Sequence, residues 1–152
     1  KMNSNLFYAC AKDYNKLLNN TNKYGIHACK DARDVVMNCD IVILAVKPYL
    51  IEKVVQSICD DLENKIVISV AAGYNFEKYS KILKSSTAHI STIPNTPISV
   101  GEGIIVCENK HSLNDEQFNV FMNLFKDIAN QDYIPGSNKY FIEKYKEFDE
   151  II

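Results

Sequence analysis

The chain has 152 residues, one domain's worth, since single domains run roughly 100 to 200 residues. Apolar residues make up 47% and charged residues 24%, the balance of a folded globular protein and not of a disordered or fibrous one. Seventeen Lys plus Arg against nineteen Asp plus Glu leave a net charge of −2, which supplies no basic footprint for nucleic acid. The longest apolar run, 41–46, falls well short of the roughly 18 to 20 residues that span a bilayer. A soluble protein with neither a nucleic-acid nor a membrane partner is expected.

In chain order, residues 5–10 (NLFYAC) open with a β-prone apolar run, and Tyr14, Leu17 and Leu18 then recur at helical spacing up to Gly25. Residues 26–28 are long enough only for a small strand, and Ala32, Val35 and Val36 line one face of a short helix. Residues 41–46 (IVILAV) are continuously apolar, as expected of a parallel strand covered on both faces. Pro48 suits the first turn of the next helix, where no N–H is needed, and Leu50, Ile51, Val54, Val55 and Ile58 mark that helix's buried face. Residues 65–71 (KIVISVA) form a second such strand, ended by Ala72-Gly73, and Phe76, Tyr79, Ile82 and Leu83 share a helical face after it.

Two further strands are expected at 89–93 and 103–107, divided by the turn signals Pro94-Asn95-Thr96-Pro97 and Gly101-Glu102-Gly103. The longest helix follows, with Asn114 or Ser112 as cap, Gln117 or Asp115 three residues on, and Phe118, Phe121, Met122, Phe125 and Ile128 as its buried stripe. Alternating strands and helices with continuous apolar strands predict an α/β fold, a Rossmann-like doubly wound, mostly parallel sheet, over residues 5–135. Residues 136–152 are charged and rich in Tyr and Lys, and read as a linker or the start of a further helical domain.

The five cysteines, Cys10, Cys29, Cys39, Cys59 and Cys107, include no C-x-x-C pair and have no neighbouring His, so no metal site is expected. They read as small buried hydrophobes. Free thiols and a polar start without a signal peptide point to a reducing cytoplasm.

In open α/β sheets ligands bind beyond the carboxyl ends of the strands, which makes those ends the place to look for chemistry. Three of them carry unusual punctuation: Ala45-Val46-Lys47-Pro48, Ala71-Ala72-Gly73, and Pro94-Asn95-Thr96-Pro97 followed by Gly101-Glu102-Gly103. Small residues there let a flat ring approach the backbone closely. In this order the segments resemble the N-terminal domain of pyrroline-5-carboxylate reductase. The family pattern runs A-D-I-V-I-L-A-V-K-P, then I-S-x-A-A-G, then M-P-N-T-P-x-x-V-x-E-G. The resemblance covers roughly 5–132, and weakly 143–149.

The resemblance implies NADPH-dependent reduction of the cyclic imine 1-pyrroline-5-carboxylate to proline, by a homo-oligomer in the full-length enzyme. Ala45, Val46, Lys47 and Pro48 would then pass the cofactor's ribose and nicotinamide. Ala71, Ala72 and Gly73 would back the ring, and Asn95 and Thr96 would hold its carboxamide or line the imine side. The family's first strand and its G-x-G-x-M-G turn would precede Asn5, and its helical domain would follow Ile152. No residue stands out as a general acid.

Several alternatives remain open on the residues themselves. Lys12 favours NADPH, Asp13 keeps NADH possible, and Asp13 is equally suited to cap the helix that follows. Lys47 could be a solvated cap, Asn95-Thr96 a rigid turn and no more, and His89 a structural histidine. The competing functions are a non-catalytic Rossmann-like interaction domain and a related NAD(P)-dependent hydroxy-acid dehydrogenase.

Overall fold

A computed structural model describes residues 3–100, 103–126 and 129–133. In chain order the elements are β1 (Tyr8–Ala9), α1 (Tyr14–Tyr24), β2 (His27–Ala28), α2 (Ala32–Met37), β3 (Ile41–Leu44) and α3 (Ile51–Ile58). They continue with β4 (Ile66–Ser69), α4 (Phe76–Tyr79), β5 (Ala88–Pro94), β6 (Gly103–Cys107), α5 (Asp115–Phe125) and β7 (Ala129–Tyr133).

Local chemistry sets most of the boundaries. Asp13 caps α1 by accepting from the Lys16 N–H at 2.9 Å, and Gly25, at φ 66°, closes it in the left-handed conformation that a side chain would strain. Asp31 caps α2 in the same way through the Asp34 N–H. The expected strand over 5–10 is reduced to β1 because Asn3 accepts from the Asn5 N–H and winds Ser4–Leu6 into a 3₁₀ turn. Pro48 opens a 3₁₀ turn over Pro48–Leu50, and the α-helix proper starts at Ile51. The helix expected around Phe76 to Leu83 keeps a single α turn, after which Ile82 and Leu83 still donate back to the Tyr79 carbonyl.

β3 to β7 form one five-stranded sheet in that order. β3, β4 and β5 run parallel, β5 and β6 antiparallel, and β6 and β7 parallel. One face packs Val42, Leu44 and Val67 against Ile51, Val55 and Ile58 of α3, together with Leu62, Tyr79 and Leu83. The other packs Ile66, Ile68, Ile90 and Ile105 against Phe121 of α5 and against Leu113 just before that helix. Fully burying such a side chain contributes roughly 1.5 to 3 kcal/mol, so these two layers are the main source of stability. β1 and β2 pair parallel in a separate two-stranded sheet. The mostly parallel α/β architecture is therefore as expected, with the sheet divided between β1 and β3.

The linker or further domain expected over 136–152, and the weak resemblance at 143–149, lie outside the described residues. β7 was not foreseen, since Ala-Asn-Gln-Asp-Tyr carries no apolar alternation.

Candidate functional site

The parallel register brings the three punctuated segments to one edge. Leu44 pairs with Ser69 and Ser69 with Ser91, so the residues after each emerge at the same end of the sheet. Ala45, Lys47 and Pro48 are exposed there and Val46 is half-buried. The next segment has Ala71 buried, Ala72 half-buried and Gly73 exposed, at φ 73° with open space where a side chain would project. Asn95 and Thr96 are exposed beyond the end of β5. Lys12 is exposed in the link between β1 and α1.

This edge is held by a polar brace that the sequence reading missed. The Tyr79 hydroxyl donates to Ser69 Oγ at 2.7 Å, the Ala71 N–H donates to the same oxygen at 3.2 Å, and Thr92 Oγ1 donates to the Ser69 carbonyl at 2.8 Å. All four residues are buried, so these bonds keep their partners out of water, where an unmade one costs about 1 to 3 kcal/mol. Burial pushes the Tyr79 phenol up to about 12. Below the brace, Glu108 Oε2 accepts from the Phe76 N–H at 2.7 Å and anchors the far end of the loop that begins at Gly73. Desolvation pushes the Glu108 carboxyl above its ordinary range. The one signal for these residues was polarity inside apolar runs, at Ser69 within IVISVA and Thr92 within HISTI.

Asn95 is bound into the turn. Its backbone N–H donates to the Ile104 carbonyl at 3.1 Å, and its Oδ1 accepts from the Ile104 N–H at 2.9 Å. The reading of Asn95 as a turn residue thus has direct geometric support. Gly103 is needed for the same turn, because a Cβ there would lie 2.6 Å from the Ile98 Cα.

Asp13 is the cap of α1, the structural one of its two readings. His89 is buried, stacks on Phe76 at 4.5 Å between ring centroids, and binds Ser112 through its backbone N–H, as a structural histidine does. Burial pushes its imidazole below its ordinary range. Among the cysteines, Cys29 and Cys107 are buried and Cys39 and Cys59 are partly so. Cys10 is exposed, contrary to expectation, just after the two-residue β1. Among the described residues no cluster of His, Cys, Asp or Glu has the arrangement to hold a metal ion, and no helix is long and apolar enough to cross a membrane.

A mostly parallel α/β sheet with small residues gathered at the carboxyl edge of its parallel strands belongs to the class of open α/β folds that bind ligands beyond those strand ends. Consistently, residues 2–73 match the family described as NADP oxidoreductase coenzyme F420-dependent. The chain is similar in sequence to pyrroline-5-carboxylate reductases. It is 29% identical over 126 residues to the pyrroline-5-carboxylate reductase of Treponema pallidum, an alignment covering 80% of this chain and 48% of that protein. A pyrroline-5-carboxylate reductase from Coxiella burnetii superposes with a TM-score of 0.81 at 26% identity, over 91% of this chain and 52% of that one. The NADP-bound pyrroline carboxylate reductase of Plasmodium falciparum shares the fold, with a TM-score of 0.74 at 23% identity over 84% of this chain and 46% of that one. The chain thus spans about half the length of these relatives.

Proposed function

We propose that the chain is the cofactor-binding part of a pyrroline-5-carboxylate reductase, in which NADPH reduces the C=N bond of the cyclic imine to give proline. The observation that carries this reading is the convergence of Ala45 to Pro48, Ala71 to Gly73 and Asn95-Thr96 on one edge, in the order of the family pattern that the sequence resembles.

The residues fit the nicotinamide half of such a cofactor. Buried Ala71 and half-buried Ala72 present a shallow apolar wall, and the open space at Gly73 lets a flat ring lie against the backbone. Ala45, Val46, Lys47 and Pro48 would flank the ribose, and Thr96 would face the imine. When bound, the cofactor supplies a hydride from its nicotinamide C4 to the imine carbon. The chain's own contribution is position: the Tyr79–Ser69–Ala71 brace holds the wall, and the Asn95–Ile104 bonds hold the opposite side, so that two reactants can be kept face to face.

Exposed Lys12, in the link that follows β1, supports a reading of the cofactor's 2′-phosphate and so of NADPH over NADH. Lys12→Glu in the full enzyme is expected to weaken NADPH much more than NADH, because a carboxylate would face the phosphate. Equal loss for both cofactors removes Lys12 from the site. The reading as a whole is tested by following NADPH oxidation by the full enzyme with pyrroline-5-carboxylate, and in parallel NADP reduction with 2-hydroxy acids. Turnover of the imine supports it. Turnover of the hydroxy acids alone would make the protein a dehydrogenase, and none at all would make it an interaction domain. In the cell, a cytoplasmic homo-oligomer is the setting this reading implies.

A further inference from the structure

The segment read as the nicotinamide wall, Ala71 to Gly73, is fastened at two places. At the near one, Ser69 Oγ accepts from the Ala71 N–H at 3.2 Å. Beyond Gly73 the ties come from β5 and from the end of β6. Ser91 Oγ donates to the Tyr74 carbonyl at 3.2 Å, and Glu108 Oε2 accepts from the Phe76 N–H at 2.7 Å. These two partners are themselves joined, since the Glu108 N–H donates to the Ser91 carbonyl at 2.9 Å. Of the three ties, the one to Glu108 uses a carboxylate, and a charge-assisted bond is roughly twice as strong as one between neutral groups. Glu108 follows directly on Cys107, the fully buried last residue of β6, so its carboxylate is carried by a fixed strand. The same strand bonds Asn95 through Ile104 and thereby reaches the opposite side of the site. Between the two fastenings stands Gly73, at φ 73° with open space where a side chain would project, so the ends of the span decide where its middle lies.

We propose that Glu108 is a positioning residue for hydride transfer: by holding the Phe76 N–H it fixes the Ala71–Gly73 wall against which the nicotinamide ring lies. The proposal rests on the reading of this chain as the cofactor-binding part of an imine reductase. Glu108 acts through the backbone of residues 73–76 and does not itself touch the cofactor. Without it the Phe76 N–H loses its carboxylate partner, Ser69 still holds the near end, and Gly73 becomes a pivot between them. The ring then settles in orientations that do not present C4 to the imine. The contacts to the rest of the cofactor are untouched, so the loss falls on turnover more than on affinity. The Phe76 ring keeps its stack on His89, which lets the fold survive the change.

The test compares Glu108→Ala and Glu108→Gln with the unaltered full enzyme. Three quantities are read: hydrogen exchange at the Phe76 amide without cofactor, the fluorescence lifetime of bound NADPH, which shortens as the ring gains freedom, and kcat against the KM for NADPH in imine reduction. Glu108→Ala should exchange the Phe76 amide at least about tenfold faster and shorten the lifetime. It should lower kcat at least about tenfold while the KM for NADPH changes by less than about threefold. Glu108→Gln keeps an acceptor and should stand close to the unaltered enzyme in all three. An unchanged exchange rate at Phe76 in Glu108→Ala overturns the proposal. So does a lowered Tm with kcat and lifetime unchanged, since Glu108 then holds the fold and no more, and so does a Glu108→Gln as impaired as Glu108→Ala. If Glu108→Ala does not fold by circular dichroism, Glu108→Asp, whose carboxylate is one methylene short of Phe76, takes its place. An unaltered enzyme that leaves the imine unreduced removes the reductase reading, and the exchange and lifetime comparisons then decide on Glu108 by themselves.

Discussion

Asn95 shows how a residue read for chemistry can be occupied by structure. A side-chain bond from Oδ1 to a backbone N–H contributes about 0.5 to 1.5 kcal/mol net, so Asn95→Ala should lower stability by about 1 kcal/mol even though the residue is exposed. For a domain of this size that is a fall of a few degrees in Tm, readable by calorimetry. An unchanged Tm would show that the bond does not persist in solution. Tyr79 gives a sharper residue-scale prediction through pH. Its phenol is pushed up to about 12 from an ordinary value of 10, because ionising it would leave a buried charge. A group that holds its proton more tightly when folded contributes stability that is complete below the unfolded value and lost as pH rises through the folded one. Stability should therefore fall between about pH 10 and pH 12, and Tyr79→Phe should flatten that fall while costing about 1 kcal/mol at neutral pH through the lost bond to Ser69. Chemical denaturation across that range, for both proteins, measures the two effects together.

Among the elements, α5 depends most visibly on its terminus. Asn114 Oδ1 accepts from the Gln117 N–H at 2.9 Å, and Gln117 Oε1 accepts from the Asn114 N–H at 3.0 Å, a reciprocal capping box. Asp115 and Glu116 in the first turn add a favourable interaction with the helix dipole. This helix brings Phe121 onto Ile68 and Ile90, so its start and its buried stripe act as one unit. Asn114→Ala is expected to destabilise by about 1 kcal/mol in urea denaturation with the m-value unchanged. A changed m-value would mean that α5 unfolds separately from the sheet. The cap and the stripe from Phe118 to Phe125 were both legible in the sequence, because a capping box and a 3.6-residue period are local patterns, and the last expected member, Ile128, lies outside the described residues. The shortness of α4 was not. Its buried positions Phe76, Tyr79, Ile82 and Leu83 have helical spacing, while the chain beyond Ser80 is held by turn bonds to Lys78 and Tyr79.

At the scale of the molecule, the divided sheet predicts uneven stability. Among the described residues β1 and β2 are two residues long and pair with each other, whereas β4 lies between β3 and β5 and has four buried residues in a row. Amides of β1 and β2 should exchange with solvent well before those of β4 and β5, because local opening there exposes little apolar surface. Native-state exchange followed by mass spectrometry or NMR checks this, and uniform protection would show that the two sheets unfold as one unit.

What the sequence determined by itself was whatever rests on near neighbours: the continuous apolar strands at 41–46 and 65–71, the caps at Asp13 and Asn114, the stop at Gly25, and the three punctuated strand ends. Those features are set by backbone sterics, hydrogen bonding within a few residues and hydrophobic period, all of which can be read along the chain. Only the tertiary structure decided which of these met. Parallel register aligned Leu44, Ser69 and Ser91 and so placed the three strand ends on one edge. Folding also joined Tyr79 to Ser69 across 10 positions and Phe76 to Glu108 across 32. Such pairings depend on burial and on the path of the whole chain, since a buried hydroxyl or carboxylate takes whichever partner the packing brings within reach.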